Sequence, residues 1–272
     1  MTINNCFRDS GMSVYECGTE YFREGRRANA EFRLAIEHEM SVYVNDTLAM
    51  RLVCSPELLP ELVLGRLFTD GFIKSAGDVD YLYICPQGTR ASVTLPHAAS
   101  VVPAVAKTPT CCTGNQVFGS AGETAPPEPV QPMAWREEWV YDLAQRFEEG
   151  MPTYAETRGT HSCFLAGRGR LLYSCEDIGR HNALDKLIGC ALRDGVDLTQ
   201  TMVYSSGRIP TDMAEKVIRA GIPVLISKTV PTDRAVQLAR SCRLTLICTA
   251  QTRHMVVYSD GMALLDSKQA SA

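Results

Sequence analysis

From residue 161 onward, short apolar runs alternate with amphipathic stretches, and that rhythm limits the fold more than any other feature. Residues 161–166 and 171–175 have strand character around the turn Gly167-Arg-Gly169. Residues 181–193 repeat apolar side chains at helical spacing through Leu184, Leu187, Ile188, Ala191 and Leu192. Strands then fall at 201–205, 224–227, 244–248 and 255–258, with helices at 211–220 and 232–240 between them. Alternation sustained over about 110 residues predicts a three-layer α/β sandwich around a largely parallel sheet.

The earlier part is different. Residues 32–53 alternate in the period of a strand about the turn Asn45-Asp46, and residues 80–95 make a second hairpin around Pro86-Gln-Gly88. Between them Ser55-Pro56-Glu57 is a helix start, with Ser55 as N-cap and Pro56 at the first helical position. Leu59, Leu62, Val63 and Leu67 follow at helical spacing, and Gly71 ends the run. Residues 105–132 hold Pro109, Gly114, Gly119, Gly122, Pro126, Pro127, Pro129 and Pro132, a composition expected of a mobile functional loop or a linker. Trp135, Trp139, Leu143 and Phe147 then share one helical face, closed by Gly150. The expected division is a β-rich N-terminal subdomain with one helix over 1–105, a cysteine-containing loop and Pro-rich linker over 106–134, and an α/β core over 135–272.

Composition narrows the function classes. Lys and Arg number 27 against 31 Asp and Glu, so the formal charge is −4 and no basic excess points to nucleic acid. No stretch approaches the ~18–20 consecutive apolar residues of a membrane helix. The polar first ten residues, with Asp9, lack a secretory apolar run, so a soluble cytoplasmic protein is expected. Eleven cysteines, an odd number at irregular spacing, fit no disulfide framework. Most, such as Cys85 and Cys248, end apolar strands and are expected to act as small hydrophobes.

In α/β sheets, ligands gather where carboxyl ends of strands feed the next helix. Three such junctions are polar here: Glu176-Asp-Ile-Gly-Arg-His-Asn182, Ser205-Ser-Gly-Arg208 and Ser227-Lys-Thr-Val-Pro-Thr232. Hydroxyls, free N–H groups at helix starts, and the forks of Arg180 and Arg208 suit an anion or nucleotide. The plainer alternative makes Thr211 and Thr232 helix caps and the arginines surface charges. The first junction is densest, with Asp177, Arg180, His181, Asn182, Asp185 and Lys186 inside ten residues. On a helix starting near His181, Asp185 shares its face and is placed to orient the imidazole, or simply to pair with it. The other histidines (His38, His97, His161 and His254) are scattered, and no metal site is expected.

A second centre is Thr110-Cys-Cys-Thr-Gly-Asn115. Vicinal cysteines in such a loop are better explained as exposed, nucleophilic thiols than as core filler, with Cys111 and Cys112 equal on local chemistry.

The run Glu176-Asp-Ile-Gly-Arg-His-Asn-Ala-Leu-Asp-Lys-Leu-Ile-Gly189 resembles the signature of the FdhD/NarQ family, the formate dehydrogenase accessory sulfurtransferases. The resemblance extends to Ser206-Gly-Arg208 with Met213 and Lys216, to Ala220-Gly-Ile-Pro-Val-Leu225, to Pro231-Thr232, and upstream to residues 60–71. It implies a homodimer with a cytidine-deaminase-like three-layer α/β/α core that lacks the deaminase zinc ligands. It also implies a sulfur carrier that takes persulfide sulfur from a cysteine desulfurase and passes it to the molybdenum cofactor. That cofactor, in its bis-molybdopterin guanine dinucleotide form, is bound as substrate and serves formate dehydrogenase. The family carries sulfur on a Cys-x-x-Cys loop. Cys112 matches the first of these cysteines, Asn115 stands at the second, and Cys111 lies beside the first. Cofactor contacts are expected from Asp177, Arg180, His181, Asn182, Ser206, Gly207, Arg208 and Ser227. Thr249 and Gln251 stand where the family has an aromatic residue and an arginine, with Arg253 and His254 as further phosphate contacts. Two alternatives are a molybdopterin or guanine-nucleotide chaperone with an idle loop, and a deaminase-like metal hydrolase using His181 and Asp185.

Overall fold

The computed structural model describes residues 1–8, 11–96, 102–103, 115–117, 119–120 and 126–264. The chain opens with β1 (Thr2–Asn5) and an antiparallel ribbon of β2 (Ser13–Tyr21) and β3 (Arg27–Ala35). Next, β4 (His38–Val44) folds onto β5 (Thr47–Cys54) because Asn45 and Asp46 adopt φ of 46° and 65°, the left-handed pair that a tight hairpin requires. Helix α1 (Leu59–Thr69), β6 (Tyr81–Ile84) and β7 (Arg90–Thr94) follow, then the two-residue strands β8 (Val102–Pro103), β9 (Gln116–Val117) and β10 (Gly119–Ser120). The first sheet has the order β1-β6-β7-β4-β5-β9. Met40, Val42, Met50, Leu52, Leu82 and Ile84 from its strands meet Leu59, Leu62, Val63 and Leu67 of α1 in one buried core.

The helix starts later than the Ser55-Pro56 motif predicts. Leu58 occupies the cap at φ 53° and Pro60 lies in the first turn. Ser55 is withdrawn from capping because the second half of the chain uses it. Its N–H donates to Asp177 (2.9 Å), its carbonyl accepts from Lys186 (3.0 Å), and its hydroxyl accepts from the Ile178 N–H (3.1 Å).

The second half comprises α2 (Glu137–Glu148), α3 (Pro152–Thr157), β11 (His161–Gly167), β12 (Arg170–Asp177) and α4 (Arg180–Arg193). It continues with β13 (Thr201–Ser205), α5 (Thr211–Arg219), β14 (Val224–Ser227), α6 (Asp233–Ser241), β15 (Thr245–Gln251) and β16 (His254–Ser259). Its sheet runs β12-β11-β13-β14-β15-β16 and is mixed rather than largely parallel. Only β13, β14 and β15 are parallel neighbours; β11 is antiparallel to both of its neighbours, and β16 to β15. Apolar periodicity carries no strand direction. The two-residue turn at Arg168 and Gly169 (φ 48° and 81°) did carry it, since so short a connection joins only antiparallel strands.

One sheet face, with Leu165, Val203, Leu225 and Leu246, is covered by α4, α5 and α6. On the other, Phe164, Tyr204, Ile226 and Ile247 pack against Val140 and Leu143 of α2. The Pro-rich stretch before α2 lies along the end of α6, where the Val130 N–H donates to the Cys242 carbonyl (2.9 Å).

The two halves are joined by α1 and α4. A Cβ on Gly65 would come within 1.8 Å of the Asp185 carbonyl oxygen, and one on Gly189 within 1.9 Å of the Glu61 carbonyl oxygen, so only glycine permits this approach. Around the crossing, the Asp185 carboxylate receives both Lys216 (2.8 Å) and the Thr69 hydroxyl (2.9 Å), with Arg66 at 3.6 Å.

Candidate functional site at the carboxyl edge of the second sheet

Strands β12, β13, β14 and β15 all point the same way, so their carboxyl ends meet one edge. Because β11 runs the opposite way, its first residue reaches that edge too, and His161 sits directly across from Asp177. The junctions are stitched to one another. The Ser227 hydroxyl donates to the Gly207 carbonyl (2.8 Å), the Lys228 N–H to Ser205 O (3.0 Å), and the Thr249 N–H to Thr229 O (2.7 Å). The Thr232 hydroxyl accepts from the Ala235 N–H (3.4 Å), the cap expected of it, whereas Pro210 stands at the cap of α5 and makes no side-chain cap bond.

Within the first junction the polar groups divide into two sets. Asp177 is fully buried, and its oxygens take Lys186 (2.7 Å) and Asn182 (2.9 Å) besides the N–H groups of Ser55 and Gly179. Asn182, also fully buried, donates to the Val53 carbonyl at 2.8 Å. These two side chains shape the junction from behind. Arg180 packs over Gly207 of the second junction, where a Cβ would come 2.9 Å from the arginine Cδ. His181 does not pair with Asp185. Its Nε2 lies 3.1 Å from Asp212 on α5, while Asp185 turns to Lys216 and Thr69. Spacing along one helix suggested the first pairing; the packing of α5 and α1 on α4 overrides it.

Ser206, Arg208, Lys228 and Thr229 stand at least partly open at the edge. Thr249 holds φ at 51°, a left-handed conformation that costs a β-branched residue about 1–3 kcal/mol and collects at functional sites. It causes the shift in register between β15 and β16 at Cys248 and Gln251. Gln251, Arg253 and His254 are exposed at the tip of that hairpin, beyond the same edge.

The roles of two residues escape the sequence reading. His161 was counted among scattered histidines, yet its Nδ1 lies 3.1 Å from the Ser206 hydroxyl. Asn115 is buried and bonded on both sides of its amide, donating to Asn182 Oδ1 (2.8 Å) and accepting from the Val53 N–H (2.7 Å). Only the direction of β11 would have revealed the first. Nothing local signalled the second.

Among the described cysteines, Cys54, Cys163, Cys175, Cys190, Cys242 and Cys248 are buried and Cys6 and Cys17 exposed. Burial pushes the thiols of Cys54, Cys163 and Cys248 up to about 12, which keeps them protonated and inert, as expected of small hydrophobes in strands. Cys85, expected to be another, instead lies just past β6, only half-buried and bonded to Thr89. Cys111 and Cys112 lie outside the described residues.

A sequence profile of the FdhD/NarQ family matches residues 35–265, from the end of β3 to beyond β16. The chain belongs to the FdhD/NarQ family. Relatives of FdhD/NarQ type include the sulfur carrier protein FdhD of Listeria innocua, 29% identical over 244 residues that span 88% of this chain and 94% of the relative. The protein of the same name from Geobacillus kaustophilus is 30% identical over 256 residues, spanning 92% and 97%. The crystal structure of a proposed formate dehydrogenase accessory protein from Desulfotalea psychrophila superposes with a TM-score of 0.74 at 26% identity, covering 92% of this chain and 97% of that one. The mixed α/β architecture described above is therefore that of the FdhD/NarQ fold.

Proposed function

We propose that this chain is a sulfur carrier in which Cys112 receives persulfide sulfur from a cysteine desulfurase and delivers it to a molybdenum cofactor bound at the carboxyl edge of the second sheet. The observation that carries this reading is the bond between Asn115 and Asn182. Cys112 stands three positions before Asn115 in the sequence, and three positions of fully extended chain span at most ~11 Å. The anchor touches the first junction itself. A thiol on such a tether serves the crevice and a donor enzyme from one base.

In the loading step the Cys112 thiolate attacks the outer sulfur of the donor persulfide, the donor S–S bond breaks, and the donor cysteine leaves as thiolate. The substrate is the bis-molybdopterin guanine dinucleotide form of the cofactor, whose diphosphates need cations and free N–H groups. Arg180, Arg208 and Lys228 and the starts of α5 and α6 supply these, and Gly207, lacking a Cβ, leaves room for the Arg180 side chain. Thr249, with Gln251, Arg253 and His254 at the hairpin tip, would extend the contact, while Asp177 and Asn182 hold the junction's shape. The family name of the relatives supports formate dehydrogenase as the enzyme served. The protein is proposed to act as a homodimer in the cytoplasm; no helix among the described residues is long and apolar enough to cross a membrane.

The test is peptide mass spectrometry after incubation with a cysteine desulfurase and cysteine. A gain of about 32 Da, one sulfur atom, is expected on the peptide with Cys111 and Cys112 and is absent in Cys112→Ala. If Cys112→Ala still restores formate dehydrogenase activity in a strain lacking its own copy, the carrier reading fails, and a cofactor-binding chaperone takes its place.

A further inference from the structure

We propose that His161 is a further contact for the ligand's diphosphate and takes up a proton as that diphosphate binds. The proposal rests on the crevice reading above and adds a residue and a proton to it.

The position comes first. His161 begins β11, opposite Asp177 and between the first two junctions, and is half-buried rather than sealed. Its Nδ1 shares one hydrogen bond with the Ser206 hydroxyl (3.1 Å), and that hydroxyl also accepts from the Ser162 N–H (3.1 Å). The imidazole is thereby held at the second junction.

The charges around it come from three elements. From β12 there is Asp177, whose charge is met by Lys186 at 2.7 Å. Glu176, one residue earlier, is occupied by Thr160 (2.9 Å) and by the N–H groups of Thr153 and Tyr154. From α4 come Arg180 and His181, and from α5 Asp212, which faces His181 at 3.1 Å. Burial first, and then the Arg180 charge, hold the His161 pKa below 6.5, with Asp177 opposing and His181 assisting. The ring is therefore neutral near neutral pH. A diphosphate arriving beside Arg180 cancels the repulsion and adds attraction, which raises the proton affinity of the imidazole. Protonated, both ring nitrogens are donors, and the ring gains charge where the ligand has its own.

The experiment is titration calorimetry of the full chain with two guanosines joined 5′ to 5′ through a diphosphate. Its phosphates are diesters and do not titrate near neutral pH, so any proton change belongs to the protein. Run in buffers of different ionisation enthalpy, binding should show net proton uptake, and affinity should rise toward acid pH by up to about tenfold per unit. His161→Gln keeps a partner for Ser206 and should bind without proton uptake and with a flat pH profile. Uptake that persists in His161→Gln, or a wild type with none, overturns the proposal while leaving the crevice reading intact. No binding at all overturns both. Should the variant not fold, ring-proton NMR of the five histidines decides, with His161 assigned by substituting the other four in turn: its midpoint must shift upward on binding, and its failure to do so overturns the proposal.

Discussion

The Asn115 amide lies 2.8 Å from the Asn182 amide and 2.7 Å from the Val53 N–H, so one side chain ties the base of the cysteine segment to two elements. Asn115→Ala leaves the half-buried Val53 N–H without that acceptor, and a loss of about 1 kcal/mol in unfolding free energy is expected. Asn115→Cys offers one short, weak thiol in place of an amide that donates on one side and accepts on the other, and should lose a similar amount. Urea unfolding of the three proteins measures it.

Lys186 and Asp177 form a buried pair at 2.7 Å, both at 0% side-chain exposure. Lys186→Met leaves the carboxylate uncompensated and should cost about 3–5 kcal/mol, more than the double variant Lys186→Met with Asp177→Leu. Burial alone would lower the Lys186 pKa, but Asp177 outweighs it and raises it above 10.5. The Lys186 charge therefore contributes fully at neutral and mildly alkaline pH, and its contribution is lost as pH rises through the folded pKa. A double-mutant cycle on midpoints at neutral pH checks the first statement.

Gly189→Ala must drive α1 and α4 apart, because the new methyl would lie 1.9 Å from the Glu61 carbonyl oxygen. A loss of about 3 kcal/mol or more is expected, together with faster amide exchange in α1. Gly195→Ala is the contrasting control: no atom crowds its Cβ, so only its positive φ (69°) opposes the change and a smaller loss is expected.

Thr249→Gly should remove backbone strain and raise stability by about 1 kcal/mol, while weakening binding of the guanosine dinucleotide probe. A variant that is both more stable and tighter binding would dissociate the strain from function.

His161 also sets a stability trend. Its folded pKa lies below 6.5, so the unfolded chain binds the proton more readily and stability falls as pH drops from about 6.5 toward the folded value. His161→Gln should flatten that limb of a urea midpoint series between about pH 7.5 and 5.5.

Much of the second half was legible from its residues. The strands at 201–205 and 224–227 fall where periodicity puts them, and the helices differ by a residue at their ends. What escaped was whatever depended on partners distant in sequence. Ser55 has a capping residue's composition but is claimed by Asp177 and Lys186, more than 120 residues away. Asp185 suits His181 by helical spacing but meets Lys216 and Thr69 once three helices assemble. β2, β1 and α3 were missed because mostly exposed strands and a six-residue helix bury too few side chains to leave a pattern.

Helix α4 is buried continuously from Arg180 through Ala191. Its buried apolar residues join the core beneath the second sheet, its Gly189 lies against the α1 backbone, and its first turn supplies the polar groups of the first junction. An ordinary surface helix has an outward stripe on which substitutions are nearly silent. This one has no such margin, so almost any exchange along it is felt as a lost bond, a clash or a void. A library that randomises this helix should return few survivors, whereas the same library applied to α2, with one face in water, should return many.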